Sequence, residues 1–579
     1  MTGRHIFITA TLLSSLISVK GQITAYYTEN KTPEYREVVD YYQTWTTTSS
    51  FITEKSYGPT DAGLPLTAYV IDKDRDFHPD SSRANKKSIL LINNAIHPGE
   101  PDGVDACINI TDQLLRDDGS HIPENVVIVI IPAYNIGGML NRGSHSRANQ
   151  NGPEAYGFRG NTKNYDLNRD FIKADSKEAI AFASLFQEWQ PDIFIDTHVS
   201  NGADYQHVMT LVPTQHDKLA PPLGTYLTEV LLPYLYKEMD NSGFLMSPYV
   251  NTLTEIPDQG IIGFMDYPRY STGYAALFNT IGFMTETHML KDYSKRVEST
   301  IQFINLMMAY MENHATEIIS KKAAAHLFVS QATTMPLDYL ADLSCYDSVS
   351  FMGYEAQYKV SEVTGAQRLF YDRTRPWTRN IPVYDHFDPN KQVRLPKAYI
   401  VPKEWDEVIR RLQVNGVEMQ VINQTTTYPG ELYYIDSYST YERAYEGHYM
   451  HYNTKVRTEA SEVIAQPGDW YISLDQPTKR FIVEVLEPAA PDSYFNWNFF
   501  DPILMQKEWY SAYVFEDIAA ELLETDPQLK AAFEARKSTD PAFAANPDEQ
   551  LTYVYRNSVY YEKSHLQYPV ARVTKYTQK

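Results

Sequence analysis

Cysteine is nearly absent: the 579-residue chain has two, Cys107 and Cys345, in no CxxC or clustered arrangement. At most one disulfide can form, a thiolate metal site is excluded, and stability must come from packing. Long apolar runs are also missing. Past the first 20 residues no segment approaches the roughly 20 apolar residues that span a bilayer, so no transmembrane segment is predicted. Positive charge is in deficit, with 51 Lys and Arg against 73 Asp and Glu and a net charge of -22. A chain without an excess of basic groups to replace phosphate counterions is not expected to bind nucleic acid. G-x-S-x-G, G-x-x-x-x-G-K-[ST] and G-x-G-x-x-G are all missing, which removes the common serine-hydrolase, phosphate-loop and dinucleotide signatures.

What is present begins with size. A chain of 579 residues, 43% of them hydrophobic, exceeds the roughly 250 to 300 residues at which one core stops growing, and two or more domains are expected. The opening "MTGRHIFITATLLSSLISVKGQ" places Arg4 before an apolar stretch, Ile6 to Val19, with small residues at Val19 and Gly21. That order reads as a secretory signal peptide over residues 1–21 and predicts an exported protein, periplasmic or extracellular. The short segment that follows leads directly into strand-like sequence, so activation by removal of a long propeptide is not expected.

Four apolar runs read as buried parallel strands: "SILLIN" from Ser88, "NVVIVIIP" from Asn125, "DIFIDTH" from Asp192 and "IGFMTETH" from Ile281. Helical periodicity falls between them. "DGVDACINITDQLLRD" starts at Asp102, "DSKEAIAFASLFQEW" opens with a capping-box-like Asp175 and Glu178, and "LGTYLTEVLLPYLYKEM" contains Pro233, which should kink it. Alternating strands and helices predict an α/β domain with a mostly parallel mixed sheet and helices on both faces.

His-x-x-Glu occurs three times, as "HPGE" (His97, Glu100), "HIPE" (His121, Glu124) and "HATE" (His314, Glu317). In open α/β sheets, ligands bind beyond the carboxyl ends of the strands. Only His97 and Glu100 follow a strand; His121 and Glu124 precede one, and His314 and Glu317 fit a solvated helix face. The same edge collects His198, at the end of "DIFIDTH", and Glu286, in "IGFMTETH". Two histidines and a carboxylate suit a zinc ion with a fourth position open to water, and a further glutamate could take that water's proton. Asp196, two residues before His198, shares its strand face as a spare carboxylate.

With "HPGE", "FRGNTKNYDLNRDF" from Phe158, "DTH" ending at His198 and "FMTETH" around Glu286, in that order over about the first 320 residues, the chain resembles the zinc carboxypeptidases of the carboxypeptidase A type, peptidase family M14. The resemblance implies one Zn2+ per chain held by His97, Glu100 and His198, with Asp166 orienting the first histidine. Glu286 is then the general base and Arg159 polarises the scissile carbonyl. Asn168 and Arg169 hold the terminal carboxylate of a peptide or protein substrate, a role that suits an arginine's forked donors. The family's mobile tyrosine matches Tyr267, Tyr270 or Tyr274, with Tyr270 favoured. The expected activity is removal of C-terminal residues. A zinc deacylase or amidase acting on N-acyl amino acids or cell-wall peptides, and a non-catalytic binding protein, are the competing readings.

Residues 22–325 are expected to form the catalytic domain and 326–579 an accessory C-terminal α/β or α+β region. The latter contains a helix-like "PKEWDEVIRRLQVNG" from Pro402 ending in Gly416, the strand-like "VEMQVI", a turn into a strand at "PGDWYISL", and a helix at "FEDIAAELLE". It reads as a scaffold packed on the catalytic domain, with a substrate-binding module or a cover over the cleft as alternatives. "HYMH", with His448 and His451, lacks neighbouring ligands in sequence and reads as incidental.

Overall fold

A computed structural model describes residues 25–575; the expected signal peptide lies outside the described residues. The strands are β1 (Ile52–Pro59), β2 (Pro65–Ile71), β3 (Ser88–Asn93), β4 (Val126–Ile131), β5 (Ile193–Ser200), β6 (Met209–Pro213), β7 (Met246–Pro248), β8 (Ile261–Ile262) and β9 (Ile281–His288). All but β8 join one sheet in the order β1-β2-β4-β3-β5-β9-β6-β7. Its centre, β4-β3-β5-β9, is parallel, and β2 and β6 flank it antiparallel. Every residue of β3, β4 and β5 is buried. Strands covered on both faces can be apolar along their whole length, which is why "SILLIN" and "VVIVII" show no alternation.

The expected helices form, with local differences. The segment from Lys177 to Trp189 is capped by the Ser176 hydroxyl, which accepts the Ala179 N–H, and not by Asp175; Asp175 is drawn away by Lys173, Arg411 and His448. Ahead of Pro233, residues Leu227–Leu231 form a π-helical turn between two α-helical segments. This one-residue bulge is the local form the expected irregularity takes, since proline removes a helix hydrogen bond.

The helix Tyr293–Gln331 runs through the expected boundary at 325/326. Beyond it come β10 (Thr334–Ala341), β11 (Asp347–Val360), β12 (Gln367–Tyr384), β13 (Phe387–Arg394), β14 (Ala398–Val401), β15 (Gln420–Val421), β16 (Thr426–Thr440), β17 (His451–Ala465), β18 (Trp470–Ser473) and β19 (Ala571–Val573). A six-stranded sheet, β15-β18-β14-β19-β16-β17, is antiparallel at every pairing, so this region is α+β. The largest apolar cluster is shared between the two regions: Phe278 stacks on Phe481, and Val329, Met335, Leu412 and Trp497 belong to the same core as Leu90 and Phe194. Smaller separate clusters lie on the six-stranded sheet, around Ile400 and Val463, where β11 and β12 meet the catalytic sheet region, around Tyr205 and Phe351, and in the helices between Ala512 and Arg556, around Phe515, Phe533 and Phe543.

Candidate active site

The turn after β3 places His97 and Glu100 together, because the Glu100 N–H donates to the His97 carbonyl at 2.8 Å. Strand register supplies the rest. His198 on β5 lies directly opposite Glu286 on β9, and both strands run two residues past these positions, to Ser200 and His288. All four side chains line one cavity of about 240 Å³ together with Arg159, Asn168, Arg169 and Tyr270.

The imidazoles are oriented alike. His97 Nε2 lies 2.8 Å from Asp166 Oδ1 and His198 Nε2 lies 2.9 Å from Asp196 Oδ2. Their Nδ1 atoms each face a Glu100 oxygen at 3.3 Å, and ligand atoms of the three residues fall within 4.8 Å of one another. His97 Nδ1 is buried yet makes no hydrogen bond, an arrangement that costs free energy unless a ligand completes it. Two nitrogens, one carboxylate and a carboxylate behind each ring are a donor set that fits zinc. Asp196, seen in the sequence only as a spare carboxylate, is thus tied to His198 and is held from the other side by the Asn93 amide at 3.0 Å. The i, i+2 spacing on a strand was the available signal.

The electrostatics favour a cation. Burial raises the Glu100 carboxyl, but Arg147 and His97 outweigh it and hold the group well below the usual range. Burial likewise opposes ionisation of Asp166, yet His97, Arg159 and Arg169 keep it far below normal. Burial lowers His198, while Asp196 and Glu100 push it well above its ordinary value. Glu286 differs: burial pushes it up to about 7, opposed by His198 and reinforced by Glu100. Glu100 and Asp166 are therefore held ionised, whereas Glu286 is held where a proton can be gained or lost near neutral pH.

Arg159 is braced by Asp166, with Nε 2.9 Å from Oδ2, and remains 45% exposed toward the cavity. Arg169 donates to the Asn168 carbonyl at 2.8 Å and stacks on the Tyr270 ring at 4.5 Å. The Asn168 side-chain oxygen accepts the Ser271 N–H at 3.2 Å, leaving its amide N–H groups toward the cavity beside Met284. Tyr267 is bonded to Asp338 and buried Tyr274 to Asn415; of the three tyrosines, Tyr270 lines the cavity. The other motifs disperse. His121 faces Asp117 and His314 faces Glu317 on exposed surfaces, while His448 and His451 turn to Asp175 and Asp501 respectively.

Sequence reading missed two contributors. Arg147 donates to Glu100 at 2.8 Å. Glu446, between β16 and β17, accepts the backbone N–H of Asp166 at 2.8 Å. Neither has a local motif, since each reaches the site from a loop distant in sequence.

Residues 38–219 match the family model described as "Zinc carboxypeptidase", Peptidase_M14. That span includes His97, Glu100, Arg159, Asp166, Asn168, Arg169 and His198 and ends before Tyr270 and Glu286. Carboxypeptidase 2 of Trichophyton rubrum is 20% identical over 430 residues, covering 71% of this chain and 74% of that one. Similar solved structures include the metallo-carboxypeptidase from Burkholderia cenocepacia, at 13% identity and a TM-score of 0.34 over 49% of this chain and 70% of that chain. Carboxypeptidase A from Helicoverpa armigera is similar at 14% identity and a TM-score of 0.37, over 51% of this chain and 75% of that chain. Over residues 38–219, the span that carries His97, Glu100 and His198, the chain thus matches the zinc carboxypeptidase family, M14.

Proposed function

We propose that the protein is an exported zinc carboxypeptidase that removes single residues from the free C-terminus of peptides, with residues 22–325 as the catalytic domain and 326–579 as an accessory region. The observation that carries this reading is the pairing, in one cavity, of the His97–Glu100–His198 donor set with the Arg169–Asn168–Tyr270 cluster. One zinc ion held by the three donors would supply an acidified water and a Lewis acid. Arg169 and the Asn168 amide grip the terminal carboxylate, placing the last peptide bond between them and the donor set. Glu286, opposite His198, takes the proton from the attacking water and passes it to the leaving amine. Arg159, fixed by Asp166, offers donors to the oxyanion as charge develops on it. Apolar Val212, Tyr249, Phe264 and Met284 share the rest of the wall with polar Ser200 and Asn201.

The test compares a peptide acid with its C-terminal amide, with products read by mass spectrometry. Sites built to bond a substrate group reject analogues lacking it by as much as about 10⁴-fold to 10⁵-fold, so the amide should be cleaved at least about 10²-fold less well by kcat/KM. Arg169→Met should erase most of that preference by lowering activity on the acid. Equal rates on acid and amide in the wild type would overturn the reading, as would release of an N-acyl group with no terminal residue removed.

A further inference from the structure

We infer a second divalent-metal site, outside the cavity, formed by His216, Asp217 and His386. Among the described residues, only this group and the His97–Glu100–His198 set bring three such ligand atoms within 4.8 Å of one another. His216 Nε2 lies 3.4 Å from Asp217 Oδ2. The rings of His216 and His386 stand 5.8 Å apart and perpendicular, against 5.1 Å and 63° for His97 and His198.

Carboxylates also stand near both rings, farther away than the 2.8 and 2.9 Å found in the catalytic site. Asp385 Oδ2 is 3.8 Å from His216 Nδ1, and Asp347 Oδ2 is 3.8 Å from His386 Nε2. At that distance they add negative charge around the two imidazoles, which favours a bound cation. The backbone is held to match, because Asp217 accepts the Phe387 N–H at 2.8 Å and Gln215 donates to the Asp385 carbonyl at 2.9 Å. Two imidazoles and a carboxylate suit zinc or a similar borderline cation, with water completing the shell. The side chains are 18%, 30% and 40% exposed, so ions and water reach them.

The location suggests what such an ion does. His216 and Asp217 follow β6 of the catalytic sheet, whereas His386 sits between β12 and β13 of the C-terminal region. A bound ion ties the two regions together where Asp217 and Gln215 already bond the backbone of residues 385 and 387, and it stabilises the folded chain by mass action. This site does not depend on the peptidase reading.

The experiment strips the full-length protein with a chelator, reloads it with zinc chloride alone, and counts metal by mass spectrometry alongside melting curves. Wild type should hold about two zinc ions per chain, and His386→Ala and Asp217→Asn about one each. Both variants should retain peptidase activity and lose part of the zinc-dependent rise in melting temperature. His97→Ala should lose the other ion. A wild type that binds one equivalent, or a second equivalent that persists in both His386→Ala and Asp217→Asn, overturns the inference.

Discussion

The two halves of this molecule deploy charged side chains to different ends. In the catalytic half, His97, Glu100, His198 and Glu286 project from the ends of buried parallel strands into a cavity. In the C-terminal half, several polar side chains are bonded to the segment that bears Asn168 and Arg169. Glu446 holds the Asp166 N–H, His448 and Arg411 both hold Asp175, and Arg411 also donates to the Lys173 carbonyl. Gly447, with φ of +84°, packs on Tyr165, where a side chain would be strained. On the proposed function, one half presents chemistry and the other fixes where it is presented. Because Asp166 both orients His97 and braces Arg159, a bond to its backbone from the C-terminal half reaches both functions.

The sharpest way to separate the halves is to remove the base. Glu286→Gln keeps shape and the metal donors while losing proton transfer, and positioned acid–base groups contribute about 10²-fold to 10⁴-fold in rate. Activity should fall by that factor with zinc content unchanged; near-normal turnover would move the base elsewhere. The pH profile adds a check. Glu286 must be ionised to act, so activity is lost as pH falls through its pKa, which burial pushes up to about 7. A cation in the site favours the ionised form, so the acid limb of kcat/KM should lie at or below pH 7 and vanish in Glu286→Gln.

A smaller effect is expected one step out from the donors. Asp196→Asn leaves His198 in place but withdraws the carboxylate from its Nε2. Losing such a partner typically costs about 10-fold to 100-fold in metal affinity or activity. Zinc retention against a competing chelator measures it, and an unchanged affinity would mean that Asp196 serves only the strand.

The contrast between the halves also explains what could be read beforehand. β3, β4, β5 and β9 were visible because strands buried on both faces are unbroken apolar runs, and the donors were visible because strand ends collect ligands. The long hairpins β11–β12 and β16–β17 were not. Their residues are largely exposed or half-buried, as in "QRLFYDRTRPWTRNIPVY", and pairing partners lie on the neighbouring strand, so neither apolar run nor clean alternation marks them. "VEMQVI" gave only the two-residue β15, and "PGDWYISL" gave β18 because Gly468, at φ +98°, turns the chain into it. The division at 325/326 followed the end of the recognised motifs, whereas the core continues across it through Phe278 and Phe481. Asp166 could be placed through its motif, but Glu446, 280 positions away, carries no signal that a single sequence exposes.

The last and smallest expected effect tests whether the C-terminal half acts on the anchor through that contact. Glu446→Ala leaves the Asp166 N–H without its acceptor, and an unsatisfied buried donor costs about 1 to 3 kcal/mol. If part of that cost appears as displacement of the 166–169 loop, kcat/KM should fall roughly 5-fold to 30-fold, the equivalent of about 1 to 2 kcal/mol, with zinc content preserved. A second consequence runs the other way. The Glu446 carboxylate also interacts with Arg169, so removing its charge frees the guanidinium for a substrate carboxylate and favours binding. Glu446→Gln separates the two, since a side-chain amide keeps an oxygen acceptor and loses the charge. Positioning predicts that glutamine restores most of what alanine loses. Charge competition predicts that both variants lower KM for peptide acids and leave amides unaffected. If Glu446→Ala matches wild type in kcat and KM on both substrates, the turn is only a neighbour of the active site, and the C-terminal half reaches the chemistry through the shared core alone.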